Sequence, residues 1–149
     1  SLLLFHNISY GTELYNYLRS NVIGKDFYYI DGETPAKKRQ YIKQQMEETG
    51  GNPKILVASF GTLSTGVSIK ALKNIVFCDS FKSARIVLQS IGRALRLHKD
   101  KEGDKAIVFD LVDQFHSSYK TILYNHYISR RDELYKKQQY PYDELKIVI

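Results

Sequence analysis

The strongest constraint on the fold is an alternation. Five short apolar runs, at residues 2–5, 27–30, 55–59, 74–78 and 106–110, are separated by stretches with helical spacing. The runs are nearly continuous in Leu, Ile, Val, Phe and Tyr, which marks strands of a sheet covered on both faces. Helix candidates lie at residues 11–20, 35–48 and 83–95. The second is well bounded: Thr34 can cap it, Pro35 takes its first turn, and Gly50-Gly51-Asn52-Pro53 stops it. Strands that alternate with helices imply right-handed crossovers and a mostly parallel sheet with helices on both faces, a three-layer α/β domain. Such domains carry their functional loops at the carboxyl ends of the strands. Those ends are polar and small here: His6-Asn7, Asp31-Gly32-Glu33, Ser59-Phe60-Gly61-Thr62 and Asp79-Ser80.

Beyond the alternating core (residues 1–115), residues 116–137 read as one long helix with Phe115, Tyr119 and Ile122 turned inward. Residues 145–149 could add a closing strand, and the Arg130-Arg131 and Lys136-Lys137 pairs read as ordinary surface charge. Without a repeat, low-complexity tract or linker, residues 1–149 are expected to be one domain with a C-terminal extension at 116–149. The chain enters its first strand almost without preamble, which suggests a piece of a longer polypeptide.

Composition narrows the partners. The formal net charge is +6, from 22 Lys+Arg against 16 Asp+Glu, which suits a polyanion without requiring one. The 12 tyrosines could stack on bases, although half-buried packing is the commoner use. A single cysteine, Cys78, excludes a disulfide framework and a Cys-based zinc site, and no metal site is expected. No apolar run approaches the ~20 residues of a membrane span, and no signal peptide is evident, so a reducing cytoplasmic setting without a membrane partner is the expectation. The Asn7-Ile8-Ser9 sequon is then a coincidence.

The chemistry concentrates at Gln89-Ser90-Ile91-Gly92-Arg93-Ala94-Leu95-Arg96. At helical spacing Ala84, Leu88, Ile91 and Leu95 share a face, while Gln89, Arg93 and Arg96 gather roughly 140° away. A guanidinium is planar, always charged and forked, which suits polyphosphate. Two of them can stabilise the charge on a departing γ-phosphoryl group. Taken alone, the pattern fits a solvated basic helix end equally well.

Upstream, Gly61-Thr62-Leu63-Ser64-Thr65-Gly66-Val67-Ser68 nearly spells the phosphate loop G-x-x-x-x-G-K-[ST]. It fails at Val67, where a lysine must reach the β- and γ-phosphates, so no self-sufficient ATP site is present. Its glycines and hydroxyls could still meet phosphate or ribose, or simply serve a β-to-loop connection. Asp110 and Asp113 could in principle hold Mg²⁺, but helix capping is the commoner role.

Together these segments resemble, in order, motifs IV, V and VI of the C-terminal RecA-like domain of superfamily-two helicases. Residues 2–7 resemble motif IV, residues 55–59 with 61–69 motif V, and residues 89–96 motif VI. The wording of motifs V and VI is most similar to the UvsW-like subgroup of phage recombination DNA helicases.

The resemblance implies a P-loop NTPase-type fold and an intact enzyme with an N-terminal RecA-like domain. That domain would hold the phosphate cradle, most of the ATP and Mg²⁺. Arg93 and Arg96 would complete the interdomain site, Gln89 would position nucleotide or water, and Gly66 and Ser68 would face ribose or phosphate. Many relatives have aspartate at the position of Ser68, so a ribose-bonding carboxylate does not carry over. His6, Asn7, Gly32, Ser59, Gly61 and Thr62 would line a track for single-strand phosphates. The implied activity is an ATP-dependent helicase or translocase acting on single-stranded or branched DNA in recombination, repair or fork rescue. A monomer is expected, with the isolated fragment inactive. Alternatives are an RNA helicase, a restriction-enzyme translocase domain, or a binding module without ATPase activity; a pure protein-interaction domain ranks last.

Overall fold

The computed structural model describes residues 1–64, 69, 72–79, 92, 106–113 and 122–147. Every apolar run forms a strand within a residue of its expected bounds: β1 Leu2–Phe5, β2 Asp26–Ile30, β3 Lys54–Ser59, β4 Asn74–Phe77 and β5 Ile107–Asp110. They make one five-stranded sheet in the order β2-β3-β1-β4-β5, with every neighbouring pair parallel. The most apolar strand, β1, therefore lies at the centre.

Register and side-chain alternation define the two faces. Leu3 pairs with Val57 and Val76, and Tyr29 also pairs with Val57, so Leu3, Phe5, Tyr29 and Val57 share a face. Leu2, Leu4, Leu56, Ala58, Ile75 and Phe77 occupy the opposite face, and all six are buried. Burying one such aliphatic or aromatic side chain stabilises by about 1.5–3 kcal/mol before entropy is counted.

α1 (Ile8–Asn21) covers the first face across β1, β2 and β3. Its approach to β1 is so close that a Cβ on Gly11 would sit 2.4 Å from the Phe5 ring. Tyr29 joins this packing, with its ring 5.7 Å from Phe5 and 5.4 Å from Tyr15 of α1. α2 (Ala36–Glu47) lies on the second face, where Ile42 and Met46 are buried and the Tyr28 hydroxyl donates to Gln45 Oε1. Lys54 at the start of β3 donates to the carbonyls of Gln45 and Glu48, satisfying the end of that helix.

Two local expectations change. Thr34 does not cap α2, whose N-cap residue is Pro35 without a side-chain bond. Its hydroxyl instead donates to Asp31 Oδ1 and accepts the Asp31 amide, because the aspartate offers a closer partner within the turn. Residues 60–64, read as loop, form the short helix α3 (Phe60–Ser64), anchored by Phe60 stacked on Phe77 at 5.8 Å.

The sheet is also less completely covered than the apolar pattern implies. Ile107 and Phe109 of edge strand β5 are 53% and 47% exposed. They lie on the face of Leu3 and Val76, which α1 covers over β1–β3. The expected helix at 83–95 falls outside the described residues except Gly92, which is helical and exposed.

Two compact units divide the described residues: the first holds Ser1–Asp79 with β5 to Leu111, the second the residues from Val112 onward. In the second, α4 (Ile122–Arg130) runs into a π-helical turn, Arg131–Tyr135. Gln139, with φ of 55°, follows that turn in the left-handed region.

Ile122 is 69% exposed, correcting the inward assignment, whereas Arg130, Leu134 and Tyr135 are buried. Ile122 lies about 80° around the helix from Arg130, and the π turn shifts the phase further. Arg130 is thus not the surface charge expected of it; Phe115 and Tyr119 lie outside the described residues.

Residues 145–147 form no closing strand, and Leu145 and Ile147 are 88% and 80% exposed. Side chains fasten this stretch to α4 instead. Glu144 Oε1 accepts from the Tyr127 hydroxyl at 2.7 Å and from Arg131 at 3.2 Å.

Candidate functional site at the carboxyl edge of the sheet

Because all five strands run the same way, their carboxyl ends open on one edge of the sheet. Along it lie, in order, the Asp31–Thr34 turn after β2, α3 after β3, His6-Asn7 after β1, and Asp79 after β4. The six expected strand-track residues lie at the first three of these strand ends, spanning two strand spacings, or about 10 Å. The other expected residues, Gly66, Ser68, Gln89, Arg93 and Arg96, lie outside the described residues.

The turn after β2 is braced from within and behind. Asp31 Oδ1 accepts the amides of Glu33 at 3.1 Å and Thr34 at 3.0 Å, together with the Thr34 hydroxyl at 2.9 Å. From α2, Arg39 donates to the carbonyls of Thr34 at 2.7 Å and Gly32 at 2.8 Å. With its carbonyl engaged, Gly32 is exposed, and its amide makes no hydrogen bond among the described residues. Its φ is not in the left-handed region, and a Cβ there would meet nothing within 4 Å. The fold itself therefore does not demand glycine at this position.

At the end of β3 the picture divides. Ser59 and Thr62 are buried and their hydroxyls lie 2.7 Å apart, so the pair closes the first turn of α3 from inside. This turns both hydroxyls away from the exposed role that the motif suggests. Gly61, between them, is exposed with open space where a Cβ would stand. Glycine in a helix costs about 0.5–1 kcal/mol relative to alanine. No packing among the described residues requires that cost here, in contrast to Gly11 beneath Phe5.

After β1, His6 and Asn7 are exposed, and Asn7 is the N-cap of α1, its Oδ1 accepting the Tyr10 amide at 3.2 Å. That cap starts α1 three residues before the position that apolar spacing alone suggests. The amides of His6 and Asn7 both donate to Asp79 Oδ2, at 3.2 and 3.3 Å. Asp79, like Arg39, enters the site through a contact that no local motif announces; the only sequence signal was a polar residue directly after an apolar strand.

Cys78, beside Asp79, has its thiol pushed up to about 11 by burial, so it is protonated at neutral pH. No group of three or more His, Cys, Asp or Glu residues suited to a metal ion occurs among the described residues, and Asp110 and Asp113 form none. Among the described residues the edge can therefore offer the Gly32 amide and the His6 imidazole to an anion.

Residues 1–98 match the helicase conserved C-terminal domain family. The chain belongs to that family. The helicase domain is 36% identical over 113 residues to the ATP-dependent DNA helicase UvsW of Enterobacteria phage T4, a span covering 76% of this chain and 21% of that protein. It superposes on the crystal structure of T4 UvsW with a TM-score of 0.69 at 30% identity, covering 92% of this chain and 28% of that one. The E. coli DEAD-box protein SrmB, solved bound to the regulator of ribonuclease activity A, shares the fold with a TM-score of 0.58 at 24% identity. That match covers 74% of this chain and 59% of the SrmB chain. The fold is thus RecA-like, of the helicase C-terminal kind, and the helicase domain spans about a fifth of the T4 relative.

Proposed function

We propose that this helicase domain is the second motor half of an ATP-dependent DNA helicase or translocase that remodels single-stranded or branched DNA. The observation carrying the reading is the edge at which Gly32 and Gly61 stand exposed, with open space where a Cβ would sit. Backbone that must lie against a ligand, with amides aimed at phosphate, supplies a reason for glycine there. Likeness to T4 UvsW, an ATP-dependent DNA helicase, favours DNA as the polyanion.

In this reading Gly32, Gly61, His6 and Asn7 meet the phosphates of one strand, and the buried Ser59–Thr62 pair shapes the loop that presents Gly61. Arg93 and Arg96 reach ATP across an interdomain cleft, Gln89 orients nucleotide or water, and Gly66 and Ser68 face the ribose or phosphate side. The phosphate cradle and Mg²⁺ belong to an N-terminal RecA-like domain of the same polypeptide. When ATP draws the two domains together and hydrolysis lets them part, alternating grips on the backbone advance along the strand. We further propose that residues 1–149 act as one functional domain, monomeric and cytoplasmic (in the host cytoplasm if phage-encoded). By itself this domain is proposed to lack ATPase activity.

The full-length protein tests this with three substrates. Unwinding of branched DNA in preference to linear DNA duplex and RNA duplex, with ATP turnover stimulated by single-stranded DNA, is the expected result. Stimulation by RNA alone would replace the DNA assignment, and absence of nucleic-acid-stimulated turnover would remove the motor.

A further inference from the structure

Asp79 does more than end a strand. The β4–β1 ladder closes with the Cys78 amide donating to the Leu4 carbonyl at 2.9 Å. One residue further, a single carboxylate oxygen of Asp79 takes both the His6 and the Asn7 amides. Backbone pairing between β4 and β1 is thus continued by a side chain into the turn that opens α1. The negative group also stands at the positive end of that 14-residue helix.

This contact has two consequences for the strand track. The His6 and Asn7 amides are engaged by Asp79, so contact with phosphate at this turn falls to side chains, with the exposed His6 imidazole foremost. The placement of that imidazole depends on the turn, and the Asp79 carboxylate ties the turn to β4. The sequence leading to Gln89, Arg93 and Arg96 departs directly after Asp79.

We infer that Asp79 is a positioning residue for nucleic-acid binding, holding the β1–α1 turn so that His6 faces the strand. This rests on the functional reading above. An aspartate that merely stabilised the fold would show its loss throughout the molecule, whereas a positioning residue shows it in the DNA dependence of turnover.

The experiment uses full-length protein carrying Asp79→Ala or Asp79→Asn. It measures ATP turnover against the concentration of single-stranded DNA, and amide exchange over residues 5–10. For Asp79→Ala the half-stimulating DNA concentration should rise about tenfold, the scale of one lost charge-assisted hydrogen bond. Turnover at saturating DNA should stay within about twofold, because the group acts on binding rather than on the reacting atoms. Exchange protection should be lost at His6 and Asn7 and kept in the strands.

Asp79→Asn should recover most of the DNA dependence, since both amides use one oxygen and a carboxamide oxygen can replace it. An unchanged half-stimulating concentration overturns the inference. So does a fall in saturated turnover alone, an Asn variant as impaired as Ala, or loss of protection across the whole sheet. If the unsubstituted protein shows no DNA-stimulated turnover, the functional reading falls first; if it does and Asp79→Ala matches it, only the role of Asp79 falls.

Discussion

Gly11 and Gly61 are both helical glycines, yet a methyl group added to each should have opposite effects. At Gly11 the new Cβ meets the Phe5 ring at 2.4 Å, between a helix and the central strand. Overpacking of that kind costs about 1–3 kcal/mol, which exceeds the gain in helix propensity. Gly11→Ala should therefore lower the melting temperature of the full-length protein. At Gly61 the Cβ meets nothing, so Gly61→Ala should leave stability equal or up to about 1 kcal/mol higher. DNA affinity should still fall about tenfold, as expected for one lost backbone–phosphate contact. Calorimetry with DNA-binding titrations separates the two, and a Gly61→Ala protein that binds DNA normally would remove this glycine from the track. Cys78 supplies a second check at this scale. With its thiol raised to about 11, it should react slowly with a disulfide reagent at pH 8 and quickly only after unfolding. Rapid labelling of folded protein would contradict the raised thiol pKa and half-buried placement.

At the scale of elements, the five strands were legible because burial on both faces writes itself as unbroken apolar runs. The helix starts were less so. Asn7 begins α1 before its apolar spacing does, and Thr34 looks like a cap until its closer partner Asp31 is in place. The Asp79 clamp joins residues far apart in the chain, so no local pattern could contain it. Ile122 and residues 145–147 depart from their apolar pattern for a related reason: such a pattern reports that a face is apolar, but not whether another element arrives to cover it. The tail is held by the Tyr135–Tyr142 ring pair and by the Glu144 carboxyl. The Tyr127 hydrogen bond, and then Arg131, hold the Glu144 carboxyl below its ordinary value of 4.5. A depressed carboxyl pKa means the contribution is fully present above the unfolded value and is lost as pH falls through the folded one. Residues 140–147 should accordingly be protected from protease at pH 7 and released on acidification below 4.5, and Glu144→Gln should release them at neutral pH. A tail equally protected in both conditions would show that Glu144 does not fasten it.

Across the whole molecule, the proposed function has this domain complete a nucleotide site whose cradle belongs to a neighbouring domain. The near-miss phosphate loop with Val67 in place of lysine supports this from one side, and the paired arginines of residues 89–96 from the other. Backbone gripping should also make DNA affinity fall steeply with salt while remaining nearly indifferent to base sequence. The most direct measurement is single-stranded-DNA-stimulated ATP turnover of the full-length protein with Arg93→Ala, alongside its DNA affinity. An arginine finger contributes about 10³–10⁵ in rate, so turnover should be nearly abolished while DNA binding persists. Turnover retained within about tenfold of the unsubstituted protein would contradict the account.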